Sequence, residues 1–106
     1  MSILKAAILD DEKPGATLLA RKLENFNSEI RLEAIYNNPL EAIKEISALS
    51  IDVLFLDVEM PVLNGFQFLQ ELGEFNFEII FTTAYDSYIL EALRMSAVDY
   101  LLKPID

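Results

Sequence analysis

The stretch Val53-Leu54-Phe55-Leu56-Asp57 decides the fold. Four consecutive apolar residues ended by a carboxylate read as a short strand buried on both faces, the pattern of a central strand in a parallel sheet. Met60-Pro61-Val62-Leu63-Asn64-Gly65 then reads as a loop, and Phe66 to Leu72 as a short helix closed by Gly73. Beyond it, Glu78-Ile79-Ile80-Phe81-Thr82 is another strand. Upstream, Asn37-Asn38-Pro39 is a turn that opens a short amphipathic helix from Leu40 to Leu49. Farther out, Ile3 to Leu9 is an apolar strand that stops at Asp10-Asp11-Glu12. Pro14 suits the first turn of the next helix, in which Ala16, Leu19, Ala20, Leu23 and Phe26 recur at helical spacing until Asn25-Phe26-Asn27-Ser28 breaks it. Ile30, Leu32, Ala34 and Tyr36 alternate with Arg31, Glu33 and Ile35, a strand with one more exposed face. Near the other end, Asp86 is expected to cap a helix running to Met95, with Ile89, Ala92 and Leu93 inward. Asp99-Tyr100-Leu101-Leu102 is a last strand before Lys103-Pro104.

The order is βαβαβαβαβ in 106 residues, one α/β domain with a doubly wound, five-stranded parallel sheet. In such sheets ligands bind beyond the carboxyl ends of the strands, where the strand order reverses. Asp10-Asp11 end the first strand, Asp57 the third, Thr82-Thr83 the fourth, and Lys103 follows the fifth. Acids, hydroxyls and one ammonium are thus expected on one edge.

Composition narrows the chemistry. Eight Lys+Arg against eighteen Asp+Glu leave a net charge of −10, which argues against direct DNA or RNA binding and for cations or basic surfaces. No apolar run is long enough to span a membrane, and Met1 to Lys5 carry no secretory pattern, so a cytoplasmic location is expected. The absence of cysteine removes disulfides and thiol catalysis; the absence of histidine removes Ser-His-Asp catalysis and HExxH zinc sites. Adjacent carboxylates repel one another unless a cation offsets them, and a hard divalent ion such as Mg²⁺, which takes one or two carboxylates and keeps several waters, suits Asp10, Asp11 and Asp57. A carboxylate can also act as a nucleophile and form an acyl phosphate. Lys103 is expected to neutralise phosphoryl oxygens in part, and Thr83 to donate a hydrogen bond to one of them.

Together, Asp10-Asp11, Asp57, Met60-Pro61 with Gly65, Thr83-Ala84 and Lys103-Pro104 resemble the motifs of response-regulator receiver domains, over nearly the whole chain. The resemblance implies a CheY-like (flavodoxin-like) fold and a regulatory domain rather than an enzyme, catalysing only its own phosphoryl transfer and dephosphorylation. It implies that Asp57 accepts a phosphoryl group from a histidine kinase. Asp11, Asp57 and the Glu59 backbone carbonyl would bind Mg²⁺, with Asp10 acting through water. Thr83 and Lys103 would hold the phosphoryl oxygens, and Thr83 with Tyr100 would form a switch. A narrower likeness, in Thr83-Ala84-Tyr85-Asp86 with Tyr88 and in Ala97 to Ile105, is to receivers joined to a LytTR-type DNA-binding domain; no output domain lies in this chain, so transcription regulation would belong elsewhere.

Receivers normally continue into a fifth helix after Lys103-Pro104, so the sheet is expected to be truncated before that helix, with apolar surface left for association, a homodimer included. Rival readings are weaker. A haloacid-dehalogenase-type phosphatase wants an Asp where Glu59 stands, and a flavodoxin wants a phosphate loop where Asp10-Asp11-Glu12 would repel phosphate. A pseudo-receiver, a protein-binding module never phosphorylated, is the remaining alternative.

Overall fold

The computed structural model describes residues 3–104. Five parallel strands, β1 (Leu4–Leu9), β2 (Ile30–Tyr36), β3 (Val53–Asp57), β4 (Glu78–Thr83) and β5 (Asp99–Leu102), form one sheet in the order β2-β1-β3-β4-β5. The connecting helices are α1 (Lys13–Glu24), α2 (Pro39–Glu45), α3 (Gly65–Leu72) and α4 (Ile89–Arg94). The chain leaves β1 toward β2 on one side and returns to β3 on the other. The ends of β1 and β3 therefore flank the crevice where the strand order reverses.

Both faces of the central strands are buried, and alternation sorts their side chains between two cores. Ala6, Ile8, Val53 and Phe55 pack with Ala16, Leu19 and Leu23 of α1. Ala7, Leu9, Leu54 and Leu56 pack on the opposite face with Ala42 of α2, Phe66, Phe68 and Leu69 of α3, and Ala92 of α4. Every residue of β3 is buried, as its unbroken apolar run predicts. The exposed-inward alternation read from β2 also holds, Ile30, Leu32 and Ala34 being less exposed than their neighbours.

Several expectations change at the helix ends. α1 ends where Asn25 to Ser28 were expected to break it, but Phe26, counted in its helical spacing, lies beyond that end and is 52% exposed. The helix expected over Leu40–Leu49 starts at Pro39, capped by the Asn38 side chain on Leu40 N–H, and tightens into a 3₁₀ turn over Ile46–Ala48. Asp86 does not cap a helix through its side chain; it opens a 3₁₀ turn, Asp86–Tyr88, and α4 proper is only 6 residues long. Of its three expected inward residues only Ala92 is buried, while Ile89 and Leu93 are exposed. A helix so short at the edge of the sheet can turn only one side chain fully inward, and periodicity alone does not fix its rotation. Ile105, the last residue of the LytTR-like stretch, and Met1–Ser2 lie outside the described residues. No helix of the described residues is long and apolar enough to cross a membrane.

Candidate phosphoacceptor site

Asp57 stands at the end of β3 and is 2% exposed. The strand fixes it on both sides: Asp57 pairs in register with Thr82 of β4, and Val58 N–H donates to the Thr82 carbonyl at 3.0 Å. Behind it, the β3–α3 loop folds back tightly. Gly65 N–H donates to the Val58 carbonyl at 2.8 Å, and a Cβ at position 65 would fall 2.6 Å from the Asp57 carbonyl oxygen. Only glycine permits that approach. The reciprocal capping box of Asn64 and Gln67 then starts α3 at that point.

Asp10 and Asp11 follow β1, the strand next to β3. Asp10 is 3% exposed, and its Oδ1 accepts from Glu12 N–H at 2.9 Å in an Asx turn. One oxygen from each of Asp10, Asp11 and Asp57 lies within 4.8 Å of the others. Asp11 Oδ1 is buried without a hydrogen-bond partner. An acceptor so placed costs free energy unless something satisfies it.

Lys103 reaches this cluster from beyond β5. Its Nζ lies 3.1 Å from Asp10 Oδ2 and 3.4 Å from Asp57 Oδ1. The strand end is held by Lys103 N–H donating to the Thr83 carbonyl at 2.7 Å. Burial works to lower the Lys103 ammonium, but the carboxylates of Asp57 and Asp10 outweigh it and raise its pKa, so the group stays charged. One ammonium does not neutralise three acids. Burial first, and then the charge of Asp10, against the opposing pull of Lys103, push Asp57 up to about 7.

Thr83 and Tyr100 meet through a third residue. Thr83 is buried, and its Oγ1 accepts from Tyr85 N–H at 3.2 Å; the Tyr85 carbonyl accepts from the Tyr100 hydroxyl. The peptide units of Tyr85 thus link the Thr83 hydroxyl to the ring on β5. Glu59 contacts the site by its main chain, its N–H donating to Asp57 Oδ1 at 3.3 Å, while its carboxylate turns to Tyr88.

Two residues of this site were not singled out by sequence reasoning. Asn37 Nδ2 donates to the Asp10 carbonyl at 2.8 Å and ties the end of β2 to the acidic turn. Gly15 lets α1 pass close to the cluster, since a Cβ there would sit 2.9 Å from Asp10 Oδ2. A glycine inside a helix was the available signal for the second; Asn37 looked like any turn asparagine.

A family profile described as the response regulator receiver domain matches residues 6–106. The chain belongs to the response regulator receiver family. Among curated relatives, the transcriptional regulatory protein BtsR of Escherichia coli K12 is 39% identical over 105 residues, covering 98% of this chain and 44% of BtsR. The receiver therefore spans less than half the length of the curated relatives it matches. Among solved structures, the REC domain of AraT, a response regulator from Geobacillus stearothermophilus, superposes with a TM-score of 0.83 at 31% identity, over 99% of this chain and 84% of that one. TrrA of Thermotoga maritima, a response regulator protein in complex with Mg²⁺-BeF, superposes with a TM-score of 0.80 at 25% identity, over 98% of this chain and 90% of that one. The five-stranded parallel sheet with its helices is thus the CheY-like fold, and the chain is the receiver domain of a two-component response regulator.

Proposed function

We propose that Asp57 accepts a phosphoryl group from the phosphohistidine of a histidine kinase. The observation that carries this reading is one rigid, buried carboxylate with two further acids on one side and the Lys103 ammonium 3.4 Å away. An Asp57 oxygen forms the new P–O bond as the P–N bond of the donor breaks. The departing nitrogen keeps the electron pair and takes a proton. Lys103, already charged, neutralises oxygens of the arriving group. Thr83, buried at the end of β4, would donate its hydroxyl proton to a phosphoryl oxygen while its Oγ1 still accepts from Tyr85 N–H.

The residues present fit Mg²⁺: three carboxylates in reach of one another, all hard oxygen donors, with the partnerless Asp11 Oδ1 among them. Asp11, Asp57 and the Glu59 carbonyl would hold the ion, with Asp10 through water. When bound, it supplies positive charge to the transferring phosphoryl oxygens. The chain of hydrogen bonds from Thr83 through Tyr85 to Tyr100 supports a switch in which phosphorylation pulls on the Thr83 hydroxyl and releases the Tyr100 ring. The surface that would change is α4 with its preceding turn. In the whole protein, which we place in the cytoplasm, that surface would control a DNA-binding output domain of LytTR type. The name of the relative BtsR, a transcriptional regulatory protein, supports a transcriptional output.

Intact-mass spectrometry after incubation with phosphoramidate tests the core of this reading. The expected result is one Mg²⁺-dependent phosphoryl group that is absent with EDTA and absent in Asp57→Asn. A folded protein that takes no phosphoryl group would instead be a pseudo-receiver that acts by binding alone.

A further inference from the structure

The hydrogen bond from the Tyr88 hydroxyl to Glu59 Oε2, 2.9 Å long, has no part in the arrangement just proposed. It joins two segments that only the fold brings together. Glu59 lies in the β3–α3 loop, two residues past Asp57; Tyr88 ends the 3₁₀ turn that leads into α4.

Both ends of this link are anchored. The Tyr88 ring is half-buried, with its centroid 6.0 Å from that of Phe66 and a T-shaped contact to Tyr85 at 6.4 Å. Phe66 in turn packs on Phe81 at 4.9 Å in the core. The hydroxyl is therefore presented by a ring whose rotamer is already fixed, and only the glutamate loses side-chain freedom in forming the bond. At the other end, the Glu59 N–H donates to Asp57 Oδ1 at 3.3 Å. Residue 59 is thus held by its amide on the acceptor and by its carboxylate on Tyr88.

The charge on Glu59 matters because of what surrounds it. Three carboxylates already share the neighbouring site with one ammonium. A fourth, swinging freely over the acceptor, would repel an anionic phosphoryl donor. The hydrogen bond draws it to the α4 side.

We infer that Tyr88 is a positioning residue for phosphoryl transfer. It holds the Glu59 carboxylate away from the incoming group and keeps the Glu59 amide aligned on Asp57. This inference rests on the phosphoacceptor reading of Asp57.

The test is a double-mutant cycle on the rate of phosphorylation by phosphoramidate with Mg²⁺. Tyr88→Phe keeps the ring and its packing and deletes only the donor. It should slow the reaction by about threefold or more, a size expected for directly coupled residues. In a Glu59→Ala background the same substitution should have no effect, because the side chain that Tyr88 holds is gone. In a Glu59→Gln background, which keeps an oxygen for the hydroxyl, part of the dependence on Tyr88 should return. Circular dichroism melts of all variants should coincide within a few degrees. Equal losses on Tyr88→Phe with and without the Glu59 side chain would overturn the inference and leave the phosphoacceptor reading intact. A wild-type protein that takes no phosphoryl group would overturn both.

Discussion

The crevice between β1 and β3 and the face formed by α4 and β5 use their residues in opposite ways. In the crevice, charged groups sit where the backbone is most constrained. Asp10 and Asp57 are almost wholly buried at the carboxyl ends of central strands, beside Ile8, Leu9, Leu56 and Val58, which are buried too. On the α4–β5 face, apolar groups sit where the backbone is least covered. Leu90 is 61% exposed, Leu93 65% and Val98 57%, around a helix of 6 residues and a strand of 4. Burial strains the first region electrostatically; exposure leaves the second with little tertiary support beyond Ala92 and the pairing of β5 with β4. A device that moves one region in response to charge at the other needs both properties: a rigid place to deposit charge and a loosely held element to displace.

Six substitutions break or sharpen that contrast. The largest effect is expected in the core beneath the site. Leu54→Ala, at a fully buried position of β3, should cost about 3 kcal/mol in denaturant unfolding, while Leu93→Ala on α4 should change stability by less than about 0.5 kcal/mol. Comparable losses would show that α4 is as firmly packed as the centre.

Next comes the charge at the acceptor. The folded pKa of Asp57, about 7, lies above that of an unfolded aspartate. Between the two values the folded protein keeps a proton that the unfolded chain has lost, so this group's contribution falls as pH rises through that window and is lowest above it. Without Mg²⁺, Asp57→Asn should therefore stabilise the receiver by about 2 kcal/mol near pH 8 and change little near pH 4, as followed by thermal melts at each pH. Added Mg²⁺ should raise the melting temperature of the wild type more than that of the variant. A variant equally stabilised at both pH values would show that desolvated charge is not what strains the crevice.

Gly15→Ala separates local from tertiary demands. Alanine favours the helix by up to about 1 kcal/mol, but its Cβ would press on Asp10 Oδ2 at 2.9 Å. Stability should change little, while Mg²⁺ affinity measured by calorimetry should drop about tenfold, as for other residues that orient a ligand. Unchanged affinity would mean that the Asp10 carboxylate yields without consequence.

The smallest effects are expected at two positive-φ positions, one beside each region. Val62, φ 73° and 76% exposed, sits in a γ-turn closed by Leu63 N–H on the Pro61 carbonyl at 2.9 Å. Ser96, φ 61°, turns the chain between α4 and β5. Val62→Gly and Ser96→Gly should each gain about 0.5 kcal/mol, with more from the β-branched position. A loss at either would show that its side chain does more than pass through a turn.

Much of this was readable along the chain. Apolar runs of strand length alternating with helical periodicity gave the five strands to within a residue of their observed limits, because strand burial depends on local pattern. The helix ends were read less well. The exposure of Phe26 and the outward faces of Ile89 and Leu93 depend on what lies opposite, which period and composition do not carry. The meeting of Asp10, Asp11, Asp57 and Lys103 was legible because a parallel sheet brings its carboxyl strand ends to one edge. Asn37 and Gly15 were not, since each acts by fitting another residue's atoms.

The sequence by itself determined a parallel α/β sheet, an excess of acid, and the residue types at each strand end. Those follow from hydrophobic period, from turn chemistry and from counting. Only the tertiary structure decided that Lys103 bridges Asp10 and Asp57, that the Tyr100 hydroxyl donates to the Tyr85 carbonyl, and that Tyr88 takes up the Glu59 carboxylate. Each of these contacts spans segments separated in the chain. Their distances are set by the order of strands in the sheet and by the packing of rings beneath them, neither of which is written in any local stretch of residues.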